Sequence, residues 1–382
     1  MKTTTRLAGA GGLAVAAAAL FAGPASATAP HPASAPHPAT AAVFVQSDNL
    51  DGNTVVAYDR AADGSLTQGG VYATGGLGGA LAGSVVDHLA SQGALAYDRA
   101  HGLLYAVNAG SNTLTVFLVH GDHLVRRQVI SSGGSFPVSV TTHGGLVYVL
   151  NARDGGSIQG YLRVGTNLLR IPSWHRSLGL DPTAAPEFTH TPGQVAFTPD
   201  GSRLIVTTKG NGSSIDVFGV NALGEPSATP VVTADPGAVP FAVTFDAGGH
   251  VAVSEAGVPN AVATFTLNAD RTLSLVARTA TGQAATCWIV RSGANLYASN
   301  AGNASLSGFR DDGSGALTAL GNTTTGAGTV DAAASSDGEN VYVQTGAAGG
   351  VDEFHVNTDG SLTAIGSLVV PGAAGGEGIA AG

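Results

Sequence analysis

From residue 42 onward the chain alternates short apolar bursts with turn clusters, and the bursts repeat. Residues 103–112 read LLYAVNAGSN and residues 295–304 read NLYASNAGNA. Five further runs close in a similar way: FVQSDNLDG from 44, YVLNARDGG from 148, IVTTKGNGS from 205, AVSEAGVPN from 252 and YVQTGAAGG from 342. A few apolar residues closed by Asn, Asp or Gly indicate a strand, because those residues enter turn and left-handed backbone regions at little cost. Successive starts lie 61, 43, 57, 47, 45 and 45 residues apart, close to the roughly 40–50 residues of a four-stranded propeller blade.

Each run has the same neighbours. An alternating segment precedes it (GALAYD, FPVSVTT, GQVAFTP, PFAVTFD, CWIVRSG, VDAAASS), and a third and a fourth strand follow, as in TLTVFLV and DGSLTAIGSLVV. The unit is four antiparallel strands, a to d. The repeat starts with a b strand at 42–47, and EGIAAG at 377–382 reads as an a strand without a successor. Joining the two ends would leave no open sheet edge. The predicted fold is all-β, a seven-bladed β-propeller over residues 42–382, closed by its C-terminal strand and expected to be a monomer.

In such a ring the b-to-c and d-to-a connections share one face. Two d-to-a connections are long, 73–92 and 171–192, and long loops in compact domains are usually functional. The second carries Trp174, His175, Arg176, Asp181, Glu187 and His190. The b strands end near Asn108, Asn151, Arg153, Lys209, Glu255 and Asn300, while Gln194, Trp288 and Asp331 stand at or beside a strands. Asn before Ala-Gly has a plain structural use, since its side chain satisfies its own turn. Lys209 and Glu255 break the Asn pattern and so carry the chemical expectation.

Composition narrows the partners. With 56 Gly, 17 Pro and only 11% charged residues, the chain suits short strands and tight turns. A net charge of -10 with 16 Lys+Arg disfavours nucleic acid and anionic membranes. Residues 1–27, with Lys2, Arg6, the run LAVAAAALFA and Ala25-Ser26-Ala27, read as a secretory signal peptide, its apolar run too short to span a bilayer. Residues 28–41, opening TAPHPASAPHPAT, read as a linker. The expected location is therefore outside the cytoplasm. Cys287 is the single cysteine, so stability must come from a large core.

The segments VAFTPDGSRLIVTTKGNGSSIDVF (195–218), TCWIV (286–290) and GGEGIAAG (375–382) resemble the lactonase family of seven-bladed propellers, which includes 6-phosphogluconolactonases and fungal carboxymuconate cyclases. That resemblance implies a small lactone or sugar-acid ligand. Phosphogluconolactonase-type members share a Pro-His stretch before the PDG turn; here the segment reads HTPGQVAFTPDG, with His190 upstream and Gln194 near the expected imidazole. The cyclases are thought to use arginines for substrate carboxylates, and this face offers Arg153, Arg176 and Lys209.

Lactone hydrolysis or closure needs a proton-transfer group and a stabiliser for the acyl oxyanion. By topology Glu255 is the expected general base, with His190 as competitor. Lys209 would hold a carboxylate or oxyanion, and Trp288 would form an apolar or sugar-stacking wall. Gln194, Arg153, Asn108, Asn151, Asn300 and Asp331 would contact substrate. No cofactor is expected, although Glu255, Asn108, Asn151, Asn300 and Asp331 offer oxygen ligands suited to calcium. The other reading is a non-catalytic propeller that binds a carbohydrate, an envelope component or a protein through this face.

Overall fold

The computed structural model describes residues 42–382; the expected signal peptide and linker lie outside the described residues. Seven four-stranded sheets make up the blades. In blade 1, Ile379–Ala381 pairs antiparallel with Ala42–Gln46, and Thr54–Arg60 and Leu66–Ala73 follow outward. The a strands of blades 2 to 7 are Leu95–Asp98, Pro137–His143, Val195–Phe197, Pro240–Phe245, Thr286–Ser292 and Thr329–Ala334. Neighbouring blades pack together largely through them. Among the described residues helix is limited to single turns at Ala109–Ser111, Glu187–His190 and Lys209–Gly212, and no helix is long and apolar enough to cross a membrane.

Burial grades across each blade. The b strands Leu103–Asn108, Asn295–Asn300 and Asn340–Thr345 are buried throughout, their polar end residues included. The outer d strands, such as Leu362–Val369, alternate between exposed and half-buried.

The repeated tyrosine has a physical explanation. Tyr148, Tyr297 and Tyr342 on b strands are fully buried. Their hydroxyls donate to Gly224 O at 2.5 Å, Gly360 O at 2.8 Å and Gly64 O at 2.8 Å. Each acceptor lies in the c-to-d turn of the next blade, so the tyrosine latches two blades. Those glycines hold φ of +95°, +84° and +88°, a region that a side chain would strain. Tyr105 occupies the same place in blade 2, but its buried hydroxyl has no partner. The next blade there turns between Val164 and Asn167, too short a hairpin to supply the carbonyl.

One boundary differs from expectation. Residues 171–177 continue the d strand Asn167–Ser177 and do not begin the loop. Trp174 stacks on Tyr148 with ring centroids 6.2 Å apart, and Arg176 donates to Ser227 O and Pro226 O. Strand pairing and this aromatic contact outweigh the turn character of Ile-Pro-Ser. Trp174, His175 and Arg176 thus belong to the outer part of blade 3, away from the candidate site.

The latches make a contrast that urea unfolding can read. Tyr297→Phe or Tyr342→Phe strands a buried carbonyl and should cost about 1–2 kcal/mol, whereas Tyr105→Phe should be neutral or stabilising. Equal losses at all three positions would contradict the assignment.

Candidate functional site

The face carrying the b-to-c loops is organised by a one-residue offset. Asn108, Asn151, Glu255 and Asn300 are the last residues of their b strands, paired with Thr113, Ser157, Ala261 and Ser305. In blades 1 and 4 the equivalent positions are Ser47 and Thr208, whose N–H groups donate to Thr54 O and Ser214 O. Side chains at this level turn into the blades and their seams. Asn108 accepts from Asn53 and donates to Thr113 and Thr115. Asn300 accepts from Thr286 and donates to Ser305 and Ser307, and Asn151 donates to Ser132 O. Glu255 is closed by Arg278 at 2.6 and 2.9 Å, and Arg278 also binds Asp235 at 2.7 Å. Burial pushes the Glu255 carboxyl up to about 7, against the pull of Arg278.

The next residue along borders the open volume of this face at Ala152, Lys209, Ala256 and Ala301. It is Ala109, Ala152, Ala256 and Ala301 in blades 2, 3, 5 and 6, Asp48 in blade 1 and Lys209 in blade 4. Asp48 and Lys209 are both buried with left-handed backbones, φ 50° and 51°. A polar residue where four blades show Ala is the sequence signal that identifies Asp48, which the strand-end pattern overlooked.

The first long loop, 74–94, dips into the ring. Ser91 Oγ lies 2.9 Å from Val138 O and 3.0 Å from Glu377 Oε2. Trp288 Nε1 donates to Ser91 O at 2.5 Å. The Gln92 amide donates to Ile289 O at 3.0 Å and accepts from Ile289 N at 2.8 Å, while its own N–H donates to Gly193 O. Residues 87–92 therefore meet blades 3, 4 and 6 and the segment before the closing strand, and they plug the channel. Below the plug, Gln92 borders a polar cavity of about 490 Å³ with Arg99 and Arg291 on its wall.

Above the plug, Lys209 joins the two long loops. Its ammonium donates to Ala90 O at 2.5 Å, Phe188 O at 2.7 Å and Thr191 Oγ1 at 3.1 Å. Three acceptors match its three hydrogens. Burial nonetheless lowers its pKa to about 7, with Asp87 as the main opposing charge. A second clasp lies nearer solvent, where Arg153 holds Glu187 at 2.6 and 3.2 Å and Glu187 accepts from Ala82 N at 2.7 Å.

Four acids lie in and around the plug. Burial raises Asp48 to about 8, Asp87 to about 7 and Asp331 to about 6, and it lifts Glu377 well above the carboxylate range, helped by the other three. Asp331 hydrogen bonds to Glu377, so the pair resists double ionisation. Among the described residues no group of three or more His, Cys, Asp or Glu side chains is arranged to hold a metal ion.

The open volume on this face is a pocket of about 450 Å³, bordered by Asp87, Phe188, His190, Lys209, Phe241, Cys287 and Trp288 among others. Burial pushes the Cys287 thiol up to about 12, so it is no nucleophile near neutrality. His190 is better disposed. Its Nδ1 lies 2.9 Å from both Pro186 O and Thr189 Oγ1; the tautomer with its hydrogen on Nδ1 donates to the carbonyl, which only accepts. That leaves the Nε2 lone pair beside Gly210, where an added Cβ would stand 3.5 Å from it. Of the residues expected at the site, His190, Lys209 and Trp288 come together here. Arg153 borders a smaller pocket of about 140 Å³ next door, which shares His190. Gln194 Oε1 accepts from Val243 N, bridging blades 4 and 5, and Asp331 lies in the acid cluster.

The raised carboxyls set a pH dependence of stability. A group with a raised folded pKa stabilises fully below its unfolded value, about 4, and loses that contribution as pH rises through its folded value. Asp48, Asp87, Asp331 and Glu377 act in this sense between pH 5 and 7. His88, lowered by burial from its ordinary value near 6.5, opposes them below about 6.5, and Lys209 is silent below about 7. Thermal unfolding should therefore occur at a higher temperature at pH 5 than at pH 7, a difference on the order of a few kcal/mol. A midpoint that rises from pH 5 to 7 would contradict the buried cluster.

Comparison with known proteins agrees with the architecture. The family described as lactonase, 7-bladed beta-propeller, matches residues 84–375. The periplasmic gluconolactonase of Pseudomonas aeruginosa is 18% identical with a TM-score of 0.68, covering 88% of this chain and 98% of its own. A protein of Bacteroides fragilis proposed to be a 6-phosphogluconolactonase is 20% identical with a TM-score of 0.67, covering 87% and 96%. Another so described, from Bacteroides uniformis, is 17% identical with a TM-score of 0.71, covering 87% and 97%. No curated protein matches the chain. Seven four-stranded blades and the family match over most of the sequence place this chain in the lactonase family of seven-bladed β-propellers.

Proposed function

We propose that the protein is a lactonase acting outside the cytoplasm, with His190 as its general base. One observation carries this reading: His190 Nδ1 is engaged by Pro186 O and Thr189 Oγ1, while Nε2 lies beside Gly210 in a pocket that Lys209 borders. Water enters beside Nε2 and attacks the lactone carbonyl. His190 takes the water proton as the new C–O bond forms, then delivers it to the ring oxygen as the old C–O bond breaks. The product is a hydroxy acid. Lys209, its hydrogens all engaged by the loops, contributes positive potential to the oxyanion through a poorly screened interior. Trp288 forms part of the wall. Export rests on the composition of residues 1–27, and the name of the Pseudomonas relative is in keeping with it.

Glu255 takes a structural role in this scheme, since Arg278 closes its carboxylate and it does not border the pocket. His190→Gln should lower kcat/KM on a hydrolysed lactone by about 100- to 10,000-fold with an unchanged melting temperature. Glu255→Gln should lower stability and leave turnover within a few fold. Full activity in His190→Gln would remove the assignment, and collapse of activity in a folded Glu255→Gln would restore Glu255 as base. A ligand-binding propeller without catalysis is favoured by the engagement of Lys209 and Asp87 elsewhere, and it predicts saturable binding with no turnover by the unaltered protein.

A further inference from the structure

We propose that the substrate is a lactone bearing a hydrocarbon substituent, and that sugar lactones, phosphorylated or free, are excluded. This rests on the lactone-hydrolysis reading and specifies its substrate class. The pocket walls are Val85, Val86, Phe188, Val239, Phe241 and Trp288, with small residues between them. Its four polar residues are nearly all occupied. Asp87 accepts from Leu89 N at 2.8 Å and Ser91 N at 3.0 Å, and Lys209 is spent on the two loops. Thr189 Oγ1 lies 3.1 Å from Pro186 O and 2.9 Å from His190 Nδ1. What is left is acceptor capacity only, on Asp87 and at His190 Nε2, and the reaction needs Nε2.

A sugar lactone would bring more hydroxyls into this volume than these few acceptors satisfy, and each unpaired one opposes binding. A phosphate would find no free cation, because Arg153 is held bidentate by Glu187 and four acids lie in and around the plug beneath. Hydrocarbon meets the opposite circumstances. The apolar surface continues to the rim, where the lining residue Val85 is 81% exposed. A volume of about 450 Å³ accommodates a ring with an extended chain, within the roughly 300–1,000 Å³ usual for small-molecule pockets.

The test measures kcat/KM on δ-lactones carrying methyl to hexyl chains, beside glucono-δ-lactone and its 6-phosphate. The expected result is a rise of about fourfold per methylene to a plateau, with every long-chain member above both sugar lactones. Ala301→Leu, which narrows the pocket, should shorten the chain at which the plateau begins. A flat alkyl series with faster sugar lactones overturns the substrate class and leaves the lactonase reading intact. If no lactone is hydrolysed, that reading falls, and tryptophan fluorescence titrated with the same alkyl lactones decides the ligand class. Saturable binding that tightens with chain length upholds an apolar ligand, and no binding overturns it.

Discussion

The site depends on one ammonium group. Lys209 stands where four other blades place alanine, and its three hydrogens reach Ala90 O on the first long loop and Phe188 O and Thr191 Oγ1 on the second. Burial of an amine is costly, and its lowered pKa records that cost. The return is geometric. One side chain fixes the plug that floors the pocket and the turn that presents His190. Arg153 and Glu187 repeat the connection nearer solvent, where an ion pair is worth less.

The rest of the ring supplies the rigidity this arrangement needs. Closure by Ile379–Ala381 removes the sheet edge, and the tyrosine latches tie blade to blade at the far side from the pocket. Because Gln92 bonds both polar groups of Ile289 across the axis, the channel is divided into an apolar cup and a polar cavity. The cup is chemically sparse. A single uncommitted imidazole nitrogen in hydrocarbon surroundings suits a base acting on a neutral, weakly polar substrate.

Much of the fold was legible in the sequence because blade period, strand-end residues and complementary termini are local patterns that recur. The site was legible only in part. The strand-end Asn and Glu255 drew attention, yet side chains alternate along a strand, so the residue that borders the open volume is one place further on. That offset separates Glu255, turned into a seam with Arg278 and Asp235, from Lys209, turned toward the pocket. Asp87 and Glu377 gave no sign of burial because their burial comes from contacts remote in sequence. Ile171–Ser177 read as a loop from its Pro and Ser, and cross-strand pairing made it strand.

Hydrogen–deuterium exchange of the unaltered protein and Lys209→Met tests the central claim most directly. The account predicts that amides of 74–94 and 178–192 gain exchange together in the variant, by about tenfold or more for a loss of roughly 1.4 kcal/mol, while the b strands stay protected. Unchanged exchange in both loops, or a gain in one alone, would contradict the claim that Lys209 holds them as a unit.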